Sequence, residues 1–126
     1  FFFKQKTAYE IFKKYMFIRE RLRPYIKEIM TEAHEKGTPP MRPLFYDFPY
    51  DAAAWDIDDQ YMFGPDILVA PILYEGQRSR KVYLPEGAEW KCTIDGRMYS
   101  GGQWIECDAP IEDIPLFLRN GADLPI

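Results

Sequence analysis

Four aspartates crowd one short stretch, at Asp51, Asp56, Asp58 and Asp59. Clustered carboxylates are the side chains that bind calcium or move protons in acid–base chemistry. Spacing argues against the first use: an EF-hand loop needs a glycine at its sixth place and a glutamate at its twelfth, and neither falls at those offsets here. The aspartates read as solvated loop carboxylates or helix caps. The three tryptophans, Trp55, Trp90 and Trp104, offer flat faces on which a sugar ring can stack. Trp90 and Trp104 fall at alternating positions inside short runs, which reads as core, whereas Trp55 lies in a loop and is the better placed to face a substrate. Arg42 and Asp47 flank a short apolar run and read as a structural ion pair, although they could shape the mouth of a site. Cys92 and Cys107 are too few for a disulfide framework and lack metal-ligand spacing. They read as small apolar residues on strands, with a cross-strand disulfide in an oxidising compartment as the alternative. His34 is the single histidine, so a multi-histidine metal site is excluded and a Ser-His-Asp triad has no support. It reads as a surface residue near a helix end, where a positive charge suits the dipole.

The elements that position these residues follow from pattern. The chain has 126 residues, of which 47% are hydrophobic and 17% aromatic, with a net charge of -4, a globular composition. That weak acidity gives no reason to expect nucleic acid or an anionic membrane as partner, and no apolar run approaches the ~20 residues of a membrane helix. The basic runs Arg78–Lys81 and Lys13-Lys14 read as solvated faces. From Phe12 to Lys36 the apolar residues Phe12, Tyr15, Ile18, Leu22, Tyr25, Ile29 and Ala33 recur at steps of three and four, the mark of a helix with one buried face. Pro24 should kink that helix and Gly37 should end it. Met41–Phe45 reads as a brief strand, irregular at Pro43, and Tyr46–Tyr61 as a connection with turn character. Together they suggest one αβ step of an α/β architecture.

Beyond Gly64 the character changes. Ile67–Leu73 is a continuous apolar run, as in a strand buried on both faces. Short segments follow with turn punctuation: Lys81–Leu84, Glu89–Ile94, Arg97–Ser100, Gln103–Cys107 and Ile114–Leu118. Asp95-Gly96 and Gly101-Gly102 between such runs are hairpin signals, because they supply positive φ. Residues 63–126 are therefore expected to form an antiparallel meander in a β-sandwich.

Phe1–Ile11, FFFKQKTAYEI, stands apart. It lacks the charged start, long apolar centre and small-residue cleavage site of a signal peptide. It resembles the conceptual translation of a sequencing adapter after a run of thymines, which makes residues 1–11 a probable artefact and starts the natural sequence near Phe12.

Several segments carry a family resemblance. RERLRPYIKEI (Arg19–Ile29), KGTPPMRPLFYDFP (Lys36–Pro49), DDQYMFGPDILVAPIL (Asp58–Leu73), KVYLPEGAEW (Lys81–Trp90) and IPLFLRNGADLPI (Ile114–Ile126) stand in one order and spacing. Jointly they resemble glycoside hydrolase family 31. The resemblance implies that residues 12–62 are the last αβ unit of a (β/α)8 TIM barrel. Residues 63–126 would be part of the β-sandwich that follows, giving an α/β plus all-β chain. It implies an exo-acting, retaining α-glycosidase acting on an oligosaccharide or glycoside without cofactor or metal, and GTPPMRPLF is most similar to the α-xylosidase-like branch. The family's two catalytic aspartates lie on middle barrel strands, upstream of everything present, so no catalytic residue is assigned here and none of the substrate-binding residues is known. Transfer or elimination by the parent enzyme remains open, and a non-catalytic carbohydrate-binding or interaction module is the rival reading. The chain alone is expected to be inactive, and unstable because the helix would expose its apolar stripe.

Overall fold

The computed structural model describes residues 8–126. Of the adapter-like stretch, residues 1–7 lie outside the described residues, and residues 8–11 begin a helix. Helices α1 (Ala8–Arg21) and α2 (Arg23–Lys36) are separated only at Leu22. The Leu22 N–H donates to Ile18 O and the Ile26 N–H to Leu22 O, both at 2.9 Å, so the chain stays wound through the kink that Pro24 imposes. Gly37, at φ 73°, ends α2 and donates its N–H to Ala33 O.

Eight strands follow: β1 (Met41–Arg42), β2 (Tyr61–Phe63), β3 (Ile67–Val69), β4 (Ser79–Leu84), β5 (Glu89–Cys92), β6 (Met98–Ser100), β7 (Gln103–Asp108) and β8 (Leu116–Arg119). Six form one sheet in the order β1-β2-β3-β8-β5-β6, and β4 pairs with β7 in a second. All these pairings are antiparallel. The apolar run at Met41–Phe45 is strand only at Met41–Arg42, an edge strand paired antiparallel with β2. Pro43 has no N–H for the ladder, and the chain turns at once into a short helix, α3 (Leu44–Asp47). The structure thus shows a mostly β, antiparallel domain; the parallel strand of a barrel step is absent among the described residues.

The large sheet is the middle of three layers. Met62, Leu68, Phe117, Trp90 and Cys92 face β4 and β7, where Val82, Leu84 and Cys107 meet them in one core. On the other face Ile67, Val69 and Leu118 pack against Ile18, Leu22, Tyr25 and Ile29 of the helix pair. Every residue of β3 is buried, which explains its unbroken apolar run: the sequence pattern of a doubly covered strand holds here in an antiparallel setting. The centre of the helical stripe, Ile18 to Ile29, is likewise covered by this chain's own sheet, contrary to the expectation that it would lie bare, while Phe12 at its start stays exposed. Lys14 pairs with Asp113, and the Tyr15 hydroxyl accepts the Ile114 N–H at 2.7 Å, fastening α1 to the loop before β8.

Asp95-Gly96 does make a hairpin, β5–β6, with Gly96 at φ 73° and Asp95 accepting from the Arg97 N–H. Gly101-Gly102 does not. The chain there crosses from β6 in one sheet to β7 in the other, so the segments form a two-sheet arrangement and not a meander. Glycine is required at 101 because a Cβ would collide with the carbonyls of Pro85 and Ala88.

Candidate functional site

The four clustered aspartates part company in the fold. Asp51 caps a 3₁₀ turn, Ala52–Asp56, by accepting from the Ala53 N–H at 3.1 Å. It also accepts from the Tyr83 hydroxyl at 2.6 Å and the Glu86 N–H at 2.8 Å. Burial works against its charge, but these donors outweigh burial and hold its carboxyl below the usual range. Asp51 is thus more than a solvated loop carboxylate: it ties the Ala52–Asp56 turn to the start of the loop after β4. Asp59 pairs with Arg80 at 3.1 Å, while Asp56 and Asp58 are exposed. Among the described residues no three His, Cys, Asp or Glu side chains converge as a metal site.

Two polar residues that sequence reasoning missed complete this junction. The Gln60 side chain accepts from the Tyr83 N–H and donates to Tyr83 O, each at 2.8 Å, mimicking a strand partner for β4. Arg80, buried, donates to the carbonyls of Asp59, Pro71 and Lys81. A buried guanidinium is tolerated because its donors are satisfied. This corrects the reading of Arg78–Lys81 as a solvated face: Arg80 points inward from β4, where carbonyls and Asp59 take up its donors.

Arg42 and Asp47 form the expected ion pair, Nε to Oδ2 at 2.9 Å, with both side chains largely buried. The two atoms are misaligned for a hydrogen bond, so the contact is Coulombic. Burial raises the Asp47 pKa against the pull of Arg42. Met41, Arg42, Ile57, Asp58, Tyr61 and Leu73 bound an open, mostly apolar cleft of about 450 Å³ beside this pair. Trp55 remains exposed, but one face of its indole stacks on Phe45 at 4.4 Å and its Nε1–H donates to Pro49 O.

Trp90 is fully buried, as expected, and donates its Nε1–H to Pro85 O at 3.0 Å. Trp104 is not core: it is 53% exposed on the outer face of β7. Alternation in β7 places Ile105 and Cys107 inward and Trp104 outward, a phase that the run itself leaves ambiguous. Cys92 and Cys107 are free, buried thiols on β5 and β7. The neighbouring Cys107 thiol lowers the pKa of Cys92 to about 7, and the Cys92 thiol together with burial raises that of Cys107. His34 is exposed in the last turn of α2.

The described residues form an antiparallel β domain of three layers, one of them the helix pair, in which the largely buried carboxylates Asp51 and Asp47 make structural contacts. Residues 37–123 match the glycosyl hydrolase family 31 C-terminal domain. The chain belongs to glycoside hydrolase family 31. It is 38% identical to an α-xylosidase of Saccharolobus solfataricus, over 93% of this chain and 16% of that protein. It is 34% identical to α-glucosidase 2 of Bacillus thermoamyloliquefaciens, over 92% of this chain and 15% of that one. A crystal structure of a family 31 α-xylosidase from a soil metagenome, complexed with xylose, superposes with a TM-score of 0.90 at 57% identity, covering 94% of this chain and 18% of that one. The chain therefore spans less than a fifth of the proteins it matches.

Proposed function

We propose that this chain is the carboxy-terminal part of a retaining, exo-acting α-glycosidase that hydrolyses terminal α-linked xylose or glucose, with xylose favoured. The observation that carries the reading is the 57% identity to the α-xylosidase of known structure, held over 94% of the chain. In this reading residues 12–62 close a (β/α)8 barrel and residues 63–126 belong to the sandwich that braces it. Phe12, Met16 and Phe17, all at least half exposed on α1, are the kind of apolar surface that neighbouring barrel helices bury.

Retaining hydrolysis needs a nucleophilic carboxylate and an acid/base carboxyl about 5 Å apart. The buried carboxylates of this chain have other work: Asp51 holds backbone and phenol donors, and Asp47 faces Arg42. In this reading the catalytic pair lies upstream, as the family resemblance implies, and the chain contributes support. The test is to assay the chain and its complete reading frame on 4-nitrophenyl α-xyloside and α-glucoside. The complete enzyme should release 4-nitrophenol, faster from the xyloside, and the chain alone should release none. Faster release from the glucoside would move the specificity to glucose. Turnover by the chain alone, or none by the complete enzyme on either substrate, would overturn the reading.

A further inference from the structure

The outer face of the two-stranded sheet carries an aromatic side chain, Trp104, that the described residues leave half exposed. Trp104 stands directly across from Tyr83 in the β4–β7 register, with Lys81 opposite Glu106 one step along the same face. The Tyr83 ring lies 5.3 Å from the indole, tilted at 55°, and the indole stays half exposed. Tyr83 is itself immobilised, by its hydroxyl bond to Asp51 and its paired backbone bonds to Gln60. The indole thus rests against a fixed neighbour. A hollow of about 590 Å³ opens on one side, lined by Lys81, Trp104, Ile105 and Glu106. A smaller one of about 190 Å³ adjoins it, where Asp59, Gln77 and the exposed Tyr74 meet Lys81 and Trp104.

From this arrangement we propose that Trp104 is the floor of a surface site for a neutral oligosaccharide. A pyranose presents an apolar C–H face to the indole and a ring of hydroxyls to the side chains around it. Lys81 and Gln77 can donate to those hydroxyls, and Glu106 and Asp59 can accept from them. Lys81 and Glu106 lie opposite one another and Asp59 is paired with Arg80, so the face has no net charge with which to select an ion. The α-linkage of the ligand rests on the glycosidase reading above; the platform itself rests on geometry. Its use would be to hold a substrate chain on the enzyme at a point other than the catalytic centre.

The experiment is an NMR titration of the ¹⁵N-labelled chain with isomaltotriose, following the indole Nε1–H signals, with glycerol as a control for non-specific polyol effects. The Trp104 signal should shift saturably, with a Kd on the order of 1 mM, while buried Trp90 stays still. Trp104→Ala should weaken binding at least about tenfold, Trp104→Phe should retain part of it, and Trp55→Ala should leave it unchanged. Glu106→Ala, at an exposed position, should weaken binding several-fold with an otherwise unchanged amide spectrum. No shift, an equal shift with glycerol, or a response confined to Trp55 would overturn the site. Those failures are separable from failure of the glycosidase reading, since they leave cleavage by the complete enzyme intact.

Discussion

Asp51 accepts hydrogen bonds from two backbone N–H groups and one phenol, and its replacement strands all three donors in a buried setting. Asp51→Ala should cost about 2–3 kcal/mol, combining a lost cap with unsatisfied buried donors, as read from chemical denaturation. The sign of the pH effect follows from its lowered pKa. A carboxyl depressed in the folded state contributes stability that is present above its unfolded pKa, near 3.9, and is lost as pH falls through the folded value. Wild type should therefore lose stability below about pH 4, and Asp51→Asn should flatten that acid limb; an identical limb in both proteins would contradict the role. In sequence Asp51 is one of four similar aspartates, and nothing local separates it from Asp58. Its partners Tyr83 and Glu86 are 32 and 35 residues away, so only the fold can single it out. The Arg42–Asp47 pair was legible because its members are close in sequence and flank one apolar run.

At the scale of elements, periodicity carried what depends on a single face. The helix stripe, the Gly37 stop, the β5–β6 hairpin and the doubly buried β3 all follow from spacing. Strand pairing within each sheet did not, because β4 with β7 and β3 with β8 join segments separated by long connections. The side from which Trp104 points depends on that pairing too. One contact shows how helix and sheet lock together. The Tyr25 hydroxyl donates to Phe63 O at 2.7 Å and accepts from the Asp66 N–H, across the turn at Gly64. Desolvation, the main cause, raises the Tyr25 pKa to about 12. Gly64 has φ 70°, and a Cβ there would strike the Tyr25 ring and hydroxyl. Gly64→Ala should thus destabilise by more than about 1 kcal/mol, and a thermal melt should show it. Gly76→Ala, also at positive φ but in open space, should cost less, so equal losses would refute the clash.

Across the whole molecule, the helix pair, the six-stranded sheet and the two-stranded sheet share cores on both faces of the middle layer. Burial of the helical stripe against β2, β3 and β8 removes the reason to expect an unstable chain. Far-UV circular dichroism and tryptophan fluorescence should melt together in one cooperative transition, since buried Trp90 reports the inter-sheet core and ellipticity is dominated by the helices. Separate transitions would mean that the helix pair is only loosely docked. The largely buried carboxylates Asp51 and Asp47 hold turns and strands in place, and the relatives the chain matches are five or more times longer. The central claim, that this is the supporting end of a larger α-glycosidase, is tested most directly by sequencing the genomic DNA upstream of the Phe12 codon. An open frame continuing upstream through a barrel-length segment, with two aspartates on its middle strands, is the predicted result. A start codon adjoining Phe1, with no frame before it, would contradict the account.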